Sequence, residues 1–143
     1  MNAKAIIAKL NLQPHPEGGW YRETWVAPAL DGERPAGTAI YYLLEKGQRS
    51  HWHRVDADEI WHWYAGDTLL LKIAATDESA PINHILGPEL FQGQSPQIRV
   101  PSHQWQSAET LGNWTLVGCT VSPGFRFDGF EMAAPDWHPQ PGN

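Results

Sequence analysis

The chain has 143 residues and a formal net charge of -6, from 10 Lys+Arg against 16 Asp+Glu, a size expected to form one domain around one core. That balance leaves no basic stripe along which a phosphate backbone could be tracked, so a nucleic-acid partner is excluded. Lys4 and Lys9 interrupt the apolar start, and no apolar run approaches the roughly 20 residues of a membrane span, so neither a secretory leader nor a spanning helix is read and a cytoplasmic location is expected.

In chain order, Ile6, Ile7 and Leu10 fall at helical spacing behind Asn2, whose side chain suits an N-cap, which predicts a short helix from about Asn2 to Leu10. Pro14 and Pro16 stop it. His15 and Glu17 precede a double glycine and either cover a pocket mouth or fill an irregular loop, the loop reading being preferred. Short runs of β-formers then follow one another at 20–26, 38–44, 50–54, 59–64, 68–74, 83–86, 97–100, 105–108, 114–121 and 129–133. Breakers separate them at Gly32, Gly37, Gly47, Gly66, Gly87-Pro88, Gly112-Asn113 and Pro123-Gly124. This is the pattern of an antiparallel sandwich or barrel, with no second helical region to support a doubly wound fold. A proline-rich tail from about Pro135 is expected to be loose.

Within the first long run, Tyr21 and Glu23 share one face and Arg22 the other, so Arg22 is read as a surface charge. In the third, His51 and His53 are two apart and are expected to present both imidazoles on one side of a sheet. The segment Val55-Asp56-Ala57-Asp58 reads as a hairpin connection that returns Glu59 beside them. Two imidazoles and a carboxylate suit a borderline divalent ion such as zinc, iron, nickel, copper or manganese, and equally suit a metal-free acid/base cluster. Trp61 and Trp63 share the parity of Glu59, while His62 faces away. The single Cys119 sits in an apolar run and reads as a buried, inert thiol. Eight tryptophans would crowd so small a core, so some are expected to line a cavity.

The run Gly47-x3-His51-x-His53-x5-Glu59-x6-Gly66 resembles the first motif of the cupin superfamily, with a shorter first spacing and a longer gap before the glutamate. The segment Val100-Pro101-Ser102-His103-Gln104-Trp105-Gln106 is similar to the second motif, with Gln106 at the place of the last histidine ligand. Further segments are similar to the cupin 5 family: Pro16-Glu17-Gly18-Gly19-Trp20-Tyr21, Asp58-Glu59-Ile60-Trp61-His62-Trp63 and Leu116-Val117-Gly118-Cys119-Thr120-Val121. The resemblance implies an all-β fold: one small cupin barrel, a double-stranded β-helix or jelly roll, with a short N-terminal helix. It also implies one divalent metal on His51, His53, Glu59 and Gln106. Glutamine is a weak neutral ligand, and His103 is read as an exposed loop residue rather than its substitute.

The same barrel is similar to that of the dTDP-sugar 3,5-epimerases, whose comparable early strand corresponds to Gly19, Tyr21 and Glu23. With Trp61, Trp63 and Trp105 these would line a pocket for a small, carbohydrate-type molecule. The reading is an uncharacterised cupin with a small-molecule pocket, acting as a metal-dependent enzyme or as an epimerase-like or isomerase-like acid/base catalyst through His51, His53 and Glu59. The alternative is a binding or sensor module without turnover, and a homodimer is the expected assembly.

Overall fold

The computed structural model of the protein describes residues 1–142. Helix α1 (Ala3–Leu10) begins where the Asn2 side chain accepts the Ala5 N–H at 2.8 Å and ends at Asn11, a residue in the left-handed region. Eleven strands follow: β1 (Gln13–Pro14), β2 (Trp20–Val26), β3 (Thr38–Glu45), β4 (Ser50–Val55), β5 (Asp58–Gly66), β6 (Leu69–Ala74), β7 (Ile82–Leu86), β8 (Gln97–Val100), β9 (Trp105–Thr110), β10 (Trp114–Ser122) and β11 (Phe130–Met132). The helix and every predicted strand have a counterpart, and the two-residue β1 is the strand outside the predicted set. No helix is long and apolar enough to cross a membrane among the described residues.

The strands form two antiparallel sheets, one in the order β1-β2-β3-β10-β5-β8 and the other β11-β4-β9-β6-β7. This is the jelly-roll arrangement expected of a small cupin fold. Side-chain alternation places the core between them: Tyr42 and Leu44 of β3, Trp61 of β5, Leu69 and Leu71 of β6, and Val117 and Cys119 of β10 pack together. The opposite parity builds two outer layers. Leu43 and Leu116 point out of the six-stranded sheet and are covered by Ala3, Ile6 and Leu12. Trp52 and Trp105 point out of the five-stranded sheet and are covered by Ala133 and Trp137.

Two expectations are corrected. The turn after β4 is not a hairpin within one sheet: β4 and β5 lie in different sheets, so residues 55–58 cross between the layers. His53 and Glu59 therefore meet across the sandwich rather than side by side. The tail is not loose either, because its apolar residues have an apolar surface to cover. Pro139 is buried, the Trp137 ring sits 4.5 Å from that of Trp105, and the Gln140 N–H donates to the Asp77 carbonyl at 2.7 Å.

Replacing Trp137 by Ala uncovers Trp52 and Trp105. The expected loss is about 1–3 kcal/mol of unfolding free energy in urea titrations, with the fold retained; an unchanged midpoint would show the tail contributes nothing to stability.

Candidate functional site

Between the sheets, at the end closed by residues 15–19 and 123–130, lies a cavity of ≈160 Å³. Its floor is built from three buried side chains, Glu17, His53 and Glu59, which are 8%, 2% and 7% exposed. Tyr21 and Glu23 of β2 and Cys119 of β10 line one side; Phe125, Phe127 and Phe130 line the other. The three phenylalanine rings pack edge to face, with centroids 5.0–6.2 Å apart, and Phe130 leans over the His53 ring at 5.3 Å.

Glu17 arrives on a turn rather than a strand. The Gly18 N–H donates to the His15 carbonyl and the His15 N–H to the Gly19 carbonyl, while the His51 N–H of β4 donates to the Glu17 carbonyl at 3.0 Å. Gly18 (φ 109°) and Gly19 (φ 82°) both occupy the region that favours glycine. A Cβ on Gly18 would sit 2.0 Å from the Arg49 carbonyl oxygen, so the turn lies directly on the chain leading into β4. The hydroxyl of Tyr42 donates to the Gly18 carbonyl and holds the turn from below.

Hydrogen-bond partners fix the protonation pattern. The Nδ1 of His53 lies 2.8 Å from the His51 carbonyl, which only accepts, so Nδ1 carries a proton. The other nitrogen, Nε2, lies 3.2 Å from Glu17 Oε2, and the hydroxyl of Ser50 donates to Glu17 Oε1 at 2.9 Å. Burial pushes the Glu17 carboxyl above, and the His53 imidazole below, their ordinary ranges. Each group is thus shifted towards its neutral form, in which a carboxyl O–H donates to the imidazole nitrogen. Glu59 is raised too, chiefly by burial. Its Oε1 accepts from Gln106 Nε2 at 2.9 Å, and Gln106 Oε1 accepts from Trp61 Nε1 at 2.8 Å. His15, lowered mainly by burial, completes the polar wall and accepts the Glu17 N–H on Nδ1 at 3.0 Å.

The structure divides the residues singled out from the sequence. His53, Glu59, Tyr21 and Glu23 line the cavity, and Arg22 lies outside, over the Tyr41 ring. His51 does not reach it. Strand β4 bulges, so that Ser50 pairs with Ala108 and His53 with Gln106; His51 and Trp52 of β4 oppose the single Ser107 of β9, and the expected alternation breaks. The His51 ring instead contacts the Ala134 carbonyl at 2.7 Å and Arg49 at 3.2 Å. His62 turns outward to Thr120, and His103 is exposed. No tryptophan lines the cavity. Trp61 is core, Trp63 packs against it with its N–H on the Asp67 carbonyl, and Trp105 lies under the tail with its N–H on Asp77. Gly19 acts through its backbone. The signal for Glu17 was present in the sequence as a carboxylate wedged between Pro16 and two glycines, a turn that can hold it in one place.

The donor set expected for an ion does not fit. Because an indole N–H only donates, the Gln106 oxygen must face Trp61, which leaves the amide N–H edge towards Glu59. His51 is outside, and His53 Nε2 faces Glu17. Among the described residues, no three His, Cys, Asp or Glu side chains form a group able to hold a metal ion.

Residues 4–133 match the family Cupin_5, described as Cupin superfamily (DUF985). The chain is similar to the crystal structure of protein SO0799 from Shewanella oneidensis, at 38% identity over 94% of this chain and 85% of that one, with a TM-score of 0.88. It is also similar to a hypothetical protein from Leishmania major, at 31% identity over 94% and 88%, TM-score 0.86. Oxalate decarboxylase from Bacillus subtilis shares the fold at 14% identity, over 83% of this chain and 29% of that one, TM-score 0.63. No curated protein matches.

The raised Glu17 has a consequence for stability. Folded protein keeps a proton that the unfolded chain releases near 4.5, so the stability this proton supplies is complete below that value and lost as pH rises through the folded value. His53 contributes in the opposite sense, losing stability as pH falls below 6.5. Glu17→Gln mimics the protonated acid, with its amide N–H to His53 and its oxygen to Ser50. Its urea midpoint should gain on wild type from about pH 5 to pH 8, and a difference independent of pH would contradict the assignment.

Proposed function

We propose, for a chain that belongs to the Cupin_5 family (DUF985) of the cupin superfamily, that the cavity is the site of a metal-independent proton-transfer enzyme, isomerase-like or epimerase-like, acting on a small carbohydrate-type carbonyl compound. The observation that carries this is the buried Glu17–His53 pair, 3.2 Å apart in the lining of the cavity. With a proton on His53 and Glu17 ionised, the carboxylate accepts a proton from the carbon beside a carbonyl; the same carboxyl then returns that proton to the carbon, and the pair ends as it began. The hydrogen bond to the His51 carbonyl holds the imidazole of His53 in one tautomer. Tyr21, on the cavity wall, supplies a hydroxyl to the other side of the ligand. Net transfer of one proton off carbon and one back on needs no oxidant.

The walls support a ligand with two characters. Thr38, Tyr21 and Glu23 offer partners for hydroxyl groups, and the phenylalanine cluster offers a face for a sugar ring's C–H bonds. A homodimer goes with this reading, supported by Ile82, Leu90 and Phe91, which are exposed on β7 and the segment after it at the edge of the five-stranded sheet.

The test is exchange in deuterium oxide with chelator present, using proton NMR on a panel of small aldoses and ketoses. Loss of the signal of the C–H beside the carbonyl is expected with wild type and with His51→Ala, and a fall of about 10²–10⁴-fold with His53→Gln. Exchange that requires an added divalent ion, or that survives His53→Gln, would overturn the reading. A ligand captured from cell extract and released unchanged, with no exchange on any sugar, would support the non-catalytic binding module instead.

A further inference from the structure

The cavity contains three carboxyl groups, Glu17, Glu23 and Glu59, and no lysine or arginine among its lining residues. Two of these carboxyls are almost fully buried. Arg126, between Phe125 and Phe127 in sequence, is not among the lining residues, and two other guanidinium groups are committed elsewhere. Arg34 donates twice to Asp56, at 2.7 and 3.0 Å, and once to the Gly124 carbonyl; Arg54 pairs with Glu131 and covers the Trp105 ring. The same lining includes three phenylalanine rings, and aromatic faces attract positive charge.

Resting on the reading of the cavity as a ligand site, we propose that its ligand is a small organic cation, an amine-bearing molecule whose ammonium group sits against the Glu17–Glu59 floor and whose carbon skeleton packs on Phe125, Phe127 and Phe130. A phosphate or carboxylate on the ligand would lose its water against buried acids with no cation to receive it. This separates the protein from any enzyme of the same fold that works on a nucleotide-linked sugar, where a basic wall is needed. The volume of ≈160 Å³ suits a single ring, since a cavity of about 150 Å³ holds benzene.

Protons follow from the same arrangement. The groups facing the two carboxyls are His15, Tyr42, Ser50, His53, Gln106 and Cys119, and none of them is a fixed cation. Burial raises the pKa of both Glu17 and Glu59, and an ammonium ion beside them favours their charged forms, so proton release is the expected companion of amine binding.

Two matched charge series test this: glucosamine, glucose and glucuronate, and benzylamine, benzyl alcohol and benzoate. Isothermal titration calorimetry in two buffers of different ionisation enthalpy reads affinity and proton release together. The amine is expected to bind best within each series, at least tenfold more tightly than its acid, with protons released. Glu59→Gln should weaken amine binding about tenfold and reduce proton release, while His51→Ala, outside the cavity, leaves both unchanged. An acid that binds as tightly as its amine would overturn the charge assignment while leaving the cavity a ligand site. Failure of every member of both series, in a protein whose unfolding remains cooperative, would count against both the charge assignment and the site.

Discussion

The site depends on one carboxyl brought to a strand by a turn. Glu17 belongs to no sheet, yet it is buried because the turn that carries it is bonded to β4 and has almost no space around its backbone. Once seated, it is opposed by an imidazole whose other nitrogen is already occupied by the chain. Neither group can relax into water, and each shifts away from the charge it would carry in solution. A buried carboxyl–imidazole pair, each group shifted towards its neutral form, is the result.

The rest of the molecule keeps that pair dry and fixed. Helix α1 covers the back of one sheet, and the C-terminal segment covers the back of the other, so both sheets are packed on two faces over much of their area. Rigid layers matter because the floor is assembled from both of them: Glu59 comes from the six-stranded sheet, Ser50, His53 and Gln106 from the five-stranded one. The amide of Gln106 spans the gap, accepting from one β5 side chain and donating to another. A neutral group that donates and accepts in a fixed order ties the two sheets together without adding a buried charge.

Much of this was legible in the sequence, and the remainder was hidden for physical reasons. Period-two alternation and turn residues located the strands, because both are local properties. His53, Glu59, Tyr21 and Glu23 line one cavity, as an inward parity along each strand allows. His51 does not, since a bulge depends on what the partner strand offers and leaves no mark in His-x-His itself. The tryptophans misled because their bulk says only that they must be covered; α1, the core and the tail cover many of them, and the cavity is walled by smaller rings. Glu17 was visible but undervalued, as a turn was read for its flexibility rather than for the residue it locks in place.

The bulge in β4 also bears on how short motifs are interpreted. One additional residue between two ladder contacts decides which imidazole enters the interior, and it does so without altering a letter of the motif. Chains that spell the same pair of histidines can thus send different side chains into the interior. Pairing register, a property of two strands together, distinguishes them where spelling cannot.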